Sequence, residues 1–258
     1  MTSYLMRELA PFGPDMWAKI DEMVVRVVKG TLVCRRFTEL VGPLGWGVEV
    51  APKFGFAVQD GVATIQEAEY IPLREIKKEF LLRAKQWAIA DQTPFAFDLG
   101  AVAIAGTDLA KEEDKLIVGG FMGAKGKSSG PLGDWGVPFA PFSAIVKAEA
   151  DLLQGGYVAP YALILSPALY ARLAGLIKDG QRELEMVEEL VEGGIFQCVA
   201  MPDDQAMVLS LGAWNFDLVV GQDVVTAYTG SEGIDQKFRI FETLCLRIKR
   251  PGAICVLK

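Results

Sequence analysis

The chain has 258 residues, 51% of them hydrophobic, with 26 Lys and Arg against 33 Asp and Glu for a net charge of −7. An acidic surface opposes phosphate backbones, so packaging or reading nucleic acid is disfavoured. The absence of histidine removes Ser-His-Asp and Cys-His nucleophilic sites and histidine metal ligation.

A mean hydropathy of +0.27 is high for a chain that must hide its apolar atoms. Either the core is large or much of the surface meets other subunits. The most apolar stretch, 157–177, is interrupted by Pro160, Pro167 and Arg172, so no membrane span is expected. Residues 1–13 lack a basic region followed by an apolar run, so no signal peptide is expected and the chain reads as cytoplasmic. Cys34, Cys198, Cys245 and Cys255 are far apart with no CxxC spacing, which suggests buried free thiols and neither zinc nor a redox pair.

In chain order, 14–35 has helical periodicity in Trp17, Ile20, Val24, Val27, Val28 and Leu32, with Pro14 suited to the first helical position. A glycine-marked turn at 42–47 leads into 48–73, where Phe54, Phe56 and Val58 alternate, Asp60-Gly61 follows, and alternation resumes at Val62 and Thr64. Asp-Gly between alternating runs predicts a hairpin with a type I′ turn. A lone two-stranded ribbon is marginal in water, so this one needs a partner surface, either the chain's own sheet or a neighbouring copy.

Charged and apolar residues over 72–90 predict a helix. A second, long helix is expected from Asp98 to Val118, stopped by Gly119-Gly120, and a glycine-rich connector over 119–136 marks a domain change. Helices are expected over 142–155, over 166–178 with Ser166 as cap, and over 181–192, with a buried strand at 161–165. From Ile195 the period switches to two, giving strands at 195–200, 206–211, 218–220, 224–228, 238–249 and 254–257. In the clearest of these, Phe238, Ile240, Leu244, Leu246 and Ile248 share one face. Separated helices and strands indicate the α+β class.

Catalytic motifs are unconvincing. Gly123 to Ser128 resembles the end of a P-loop, but the glycine required upstream is Phe121, and a helix precedes the segment instead of a strand. A nucleotide-dependent enzyme is kept only as the contrasting hypothesis. Glu112-Glu113-Asp114, Glu188-Glu189 and Asp203-Asp204 are adjacent in sequence and do not face one another on a helix, so they read as solvated faces. No catalytic residue and no metal ligand is nominated, and the protein is expected not to be an enzyme.

Several blocks occur together in order: Leu9-Ala10-Pro11 with Trp17, Arg35-Arg36-Phe37, Gly42 to Gly45, Lys78 to Leu82, Glu112 to Ile117, Pro131 to Trp135, Pro160 to Pro167 with Leu169-Tyr170, Leu246 to Lys249 and Ala253 to Cys255. They resemble the encapsulin shell proteins nearly end to end. The resemblance implies the major capsid fold of tailed bacteriophages. Its peripheral domain would comprise 1–47, 74–130 and 222–258, its extended loop 48–73, and its axial domain 131–221. It implies a homo-oligomeric icosahedral shell whose hairpin residues Phe54, Phe56, Val58 and Val62 clasp a neighbour, with no nucleic-acid or membrane partner. A phage capsid protein is the related alternative.

The same resemblance implies a cargo enzyme, such as a ferritin-like protein or a dye-decolourising peroxidase, held on the inner wall by a terminal peptide. The groove positions it nominates are Val24, Val28, Leu32, Arg35 and Glu39, with the strand near Tyr228; the alternative is that these apolar residues face the core. Cys34 departs from a glycine found in many relatives. Some encapsulins stack a flavin on a tryptophan, and Trp87 stands near that place, about two residues late. Lys178, Asp179, Gly180, Gln181 and Arg182 are the expected pore lining at the fivefold axis.

Overall fold

The computed structural model describes residues 3–178 and 180–258. Helix α1 (Pro14–Thr31) begins on Pro14 and buries Trp17, Ile20, Val24 and Val28. A short 3₁₀ turn, Cys34–Arg36, replaces the last turn expected of it. After β1 (Leu40–Val41) come the hairpin strands β2 (Val50–Gln59) and β3 (Val62–Pro72), joined at Asp60-Gly61 with φ of 52° and 78°, the positive pair that a type I′ turn requires.

The helix expected over 72–90 is half strand. β4 (Arg74–Leu82) precedes α2 (Ala84–Gln92), because Ile76, Phe80 and Leu82 bury one side of an extended segment paired along its length with a later strand. Tertiary pairing overrides the helix-forming Lys and Glu between them. The long helix α3 (Gly100–Gly123) runs straight through Gly119-Gly120. Gly120 faces β13, where a Cβ on it would lie 2.8 Å from Leu246 Cδ2, a contact that a turn of the leucine's end would relieve.

Then follow β5 (Ser128–Gly130), α4 (Ala140–Gln154), β6 (Tyr161–Leu165) and α5 (Pro167–Gly175), the last capped by Ser166 Oγ, which accepts from Leu169 N–H. A tight hairpin, β7 (Ile177–Lys178) and β8 (Gln181–Arg182), displaces the expected helix ends, with Gly180 at φ 84° beside its turn. The chain continues through α6 (Glu183–Leu190), β9 (Gly194–Gln197), β10 (Ala206–Ser210), β11 (Phe216–Val220), β12 (Val225–Glu232), β13 (Asp235–Ile248) and β14 (Ile254–Leu257).

Two five-stranded sheets result. The first runs β1-β11-β13-β12, with β4 also on β13; the second runs β5-β14-β10-β6-β9. The domain limits expected from sequence shift accordingly. Phe216–Val220 belongs to the first sheet through its pairing with β13, and Ile254–Leu257 to the second through its pairing with β10. The main core joins α1, α3, the first sheet and one face of the second, including Ala162, Ile164, Met207 and Leu209. The opposite face, through Leu163, Leu165, Ala206 and Val208, packs with α4, α5 and α6 into a second core.

Candidate functional site

The hairpin is tied at its root and bare at its tip. Ala51 packs with Val219 and Cys245 of the first sheet, Leu73 N–H donates to Glu49 O at 2.8 Å, and Arg247 Nη1 donates to Pro52 O at 2.6 Å. Beyond the root, β2 and β3 pair with each other and with no other described strand. Phe54, Phe56, Val58, Val62, Ile65 and Tyr70 are exposed, Val58 to 75% and Ile65 to 69%. Exposed apolar ribbons attract pairing partners, so an uncovered one marks an interaction surface. Between the hairpin, α3 and β13 lies an open cleft of 1460 Å³ of mixed charge, in which Lys53, Lys78 and Lys111 pair with Glu69, Glu112 and Asp108 while Arg74 and Lys115 also line it.

Inside the fold, Arg35 joins three carboxylates. Its Nε and Nη2 donate to Glu113 Oε1 and Oε2 at 2.7 and 2.9 Å, Nη2 also to Glu242 Oε2 at 2.5 Å, and Nη1 to Asp223 Oδ1 at 2.9 Å. The Glu113 and Glu242 side chains are wholly buried and Asp223 is half exposed. Burial opposes the Arg35 charge, but the hydrogen bond and charge of Glu113, with Glu242 and Asp223, hold its pKa above the usual value. Burial raises the Glu113 pKa and Arg35 pulls it back; burial and the Glu113 charge push Glu242 well above the carboxylate range. One cation faces three carboxyl groups here, so burial favours the protonated form within the Glu113–Glu242 pair.

The Linocin_M18 family model, described as encapsulating protein for peroxidase, matches residues 1–245. The type 1 encapsulin shell protein EncA of Myxococcus xanthus is 35% identical over 100% of this chain and 97% of its own length. The chain belongs to the encapsulin shell-protein family. In structure this encapsulin resembles the virus-like particle from Pyrococcus furiosus at a TM-score of 0.84, with 24% identity over 94% of this chain and 99% of that one. It also resembles the capsid of the Myoviridae phage XM1 at 0.62, with 13% identity over 85% and 88%. The fold is therefore the tailed-phage capsid fold expected from sequence.

In the encapsulin protomer most nominated groove residues belong to the core. Val24, Val28 and Leu32 turn inward, with Leu32 5% exposed, because the apolar stripe of α1 is used against the rest of the main core. Tyr228 is buried, packs on Phe238 and donates its hydroxyl to Gln236 Oε1 at 2.7 Å. Arg35 is committed to its carboxylates. Glu39 alone is exposed, beside exposed Leu40 in β1, the edge strand of the first sheet.

Trp87 is half-buried on α2, with the rings of Phe12 and Phe97 at 4.4 and 4.2 Å. In the pore segment, Lys178 pairs with Gln181 across the β7–β8 turn, Gly180, Gln181 and Arg182 are exposed, and Asp179 lies outside the described residues. Gly123 to Ser128 joins a helix to a strand, the reverse of a P-loop. No described helix is long and apolar enough to cross a membrane.

Sequence reasoning placed Glu113 and Asp114 on a solvated helix face, whereas they are 0% and 4% exposed. The signal was present: Leu109, Glu113 and Ile117, and Ala110, Asp114 and Val118, are four-residue steps along the apolar stripe of α3.

Proposed function

We propose that this encapsulin is the self-assembling subunit of a closed icosahedral compartment in the cytoplasm, in which a cargo enzyme is held on the inner wall by a short terminal peptide. The observation that carries the assembly reading is the hairpin, an anchored ribbon with an apolar tip that the protomer leaves uncovered. A neighbouring copy offers what the tip lacks, and repetition of one such heterologous contact closes a shell.

For cargo, the family description names a peroxidase, and the open edge of β1 with Glu39 and Leu40 suits an extended peptide adding as a strand. The test is sedimentation and negative-stain electron microscopy of purified protein. Hollow particles of uniform size are expected; a chain that sediments as one compact unit at working concentration overturns the assembly reading.

A further inference from the structure

The geometry points to a buried metal site formed by Cys34, Asp114 and Cys198, holding a thiophilic divalent ion such as zinc. The two sulfurs and an Asp114 carboxylate oxygen all lie within 4.8 Å of one another, and all three residues are buried. Two zinc–sulfur bonds of about 2.3 Å at a tetrahedral angle put the sulfurs about 3.8 Å apart, so binding draws the ligands together by about 1 Å at most. Sequence spacing hid the site because its ligands come from three separate elements. Cys34 lies in the turn after α1, Asp114 in the middle of α3, and Cys198 just past β9.

Each ligand is oriented by backbone. Asp114 accepts from Cys34 N–H at 2.9 Å and Val33 N–H at 3.0 Å, which fixes the carboxylate and leaves lone-pair capacity for a metal. Met201 N–H closes a tight turn onto Cys198 O at 3.1 Å, and Cys198 N–H donates to Leu165 O at 2.8 Å, which fixes the backbone that carries the sulfur. Two thiolates and a carboxylate carry three negative charges. A divalent ion offsets two of the three. Three protein ligands leave a fourth position for a water or the second Asp114 oxygen. The ion is structural, pinning the amino-terminal turn and the strand exit of the second sheet to α3.

Purified assembled protein, grown with zinc, is assayed by elemental analysis and by intact mass under denaturing conditions. About one zinc per chain is expected. Cys198→Ser and Cys34→Ala should lose it, and Asp114→Asn, which keeps a carbonyl oxygen for the backbone amides, should weaken retention against a chelator about tenfold or more. Should the cysteine variants fail to fold, wild-type protein stripped of metal and loaded with cobalt(II) alone decides: a thiolate-to-cobalt charge-transfer band supports the site, and its absence overturns it. Metal-free protein with both thiols open to alkylation on denaturation overturns it too, as does a mass two hydrogens low from a Cys34–Cys198 disulfide.

Discussion

Arg35 holds Glu113 through two parallel hydrogen bonds, Nε to Oε1 at 2.7 Å and Nη2 to Oε2 at 2.9 Å, and this fork ties the turn after α1 to the middle of the long helix α3. Removing the cation strands two buried carboxylates. Arg35→Met should therefore cost about 3–5 kcal/mol in denaturant unfolding, with Arg35→Lys intermediate because it keeps the charge but not the fork. Burial favours a proton on Glu242 more strongly than on Glu113, so Glu242→Gln should stay within about 1 kcal/mol of wild type, whereas Glu113→Gln, which breaks the fork, should lose more. Equal losses for the two glutamines would refute the proton assignment.

The hairpin tip contributes little to the protomer, since its apolar side chains touch solvent. Val58→Asp and Ile65→Asp should leave the circular dichroism of the subunit unchanged while abolishing particles in size-exclusion chromatography. Ala51→Asp, at the buried root, should instead lower soluble yield, because it places a charge among Val219 and Cys245. Intact particles from both tip variants would mean that the ribbon is not a clasp.

Leu32 and Leu40 separate folding from cargo capture. Leu32 is in the core, so Leu32→Asp should destabilise by several kcal/mol and reduce shells and cargo together. Leu40→Asp, at an exposed sheet edge, should leave shells intact and reduce cargo co-purification with any peroxidase or ferritin-like partner. Unchanged cargo content in Leu40→Asp shells would move the docking surface away from β1.

Much of this was readable from local pattern. Asp60-Gly61 between alternating runs predicts its own turn, the stripe of α1 predicts its buried face, and Ser166 before Pro167 predicts a helix start. β4 was not readable, because Lys77, Lys78 and Glu79 are good helix formers and only the pairing with β13 makes them strand. Gly119-Gly120 reads as a stop in sequence, yet α3 runs through both to Gly123. Cys34 and Cys198 come from separate elements and meet only through the tertiary fold, which no spacing rule registers. The use of the α1 stripe was not readable: an amphipathic stripe says which residues cluster, and only the rest of the fold says whether they meet a core or a guest peptide.

Glu149 on α4 gives the second core a pH dependence. Its Oε1 is buried without a hydrogen-bond partner, and burial together with the Glu192 charge raises its pKa from the usual 4.5 to about 7. Below the unfolded value both states hold the proton and the group costs nothing. Between about 4.5 and 7 the unfolded chain has released it while the folded chain has not, so stability falls as pH rises; above about 7 the loss is complete. Glu149→Gln should match wild type in thermal unfolding at pH 4 and exceed it at pH 8, by on the order of 1 kcal/mol once solvent screening of this half-exposed group is counted. A gain that is the same at both pH values would instead trace to packing, and the carboxylate would then have no part in the pH response.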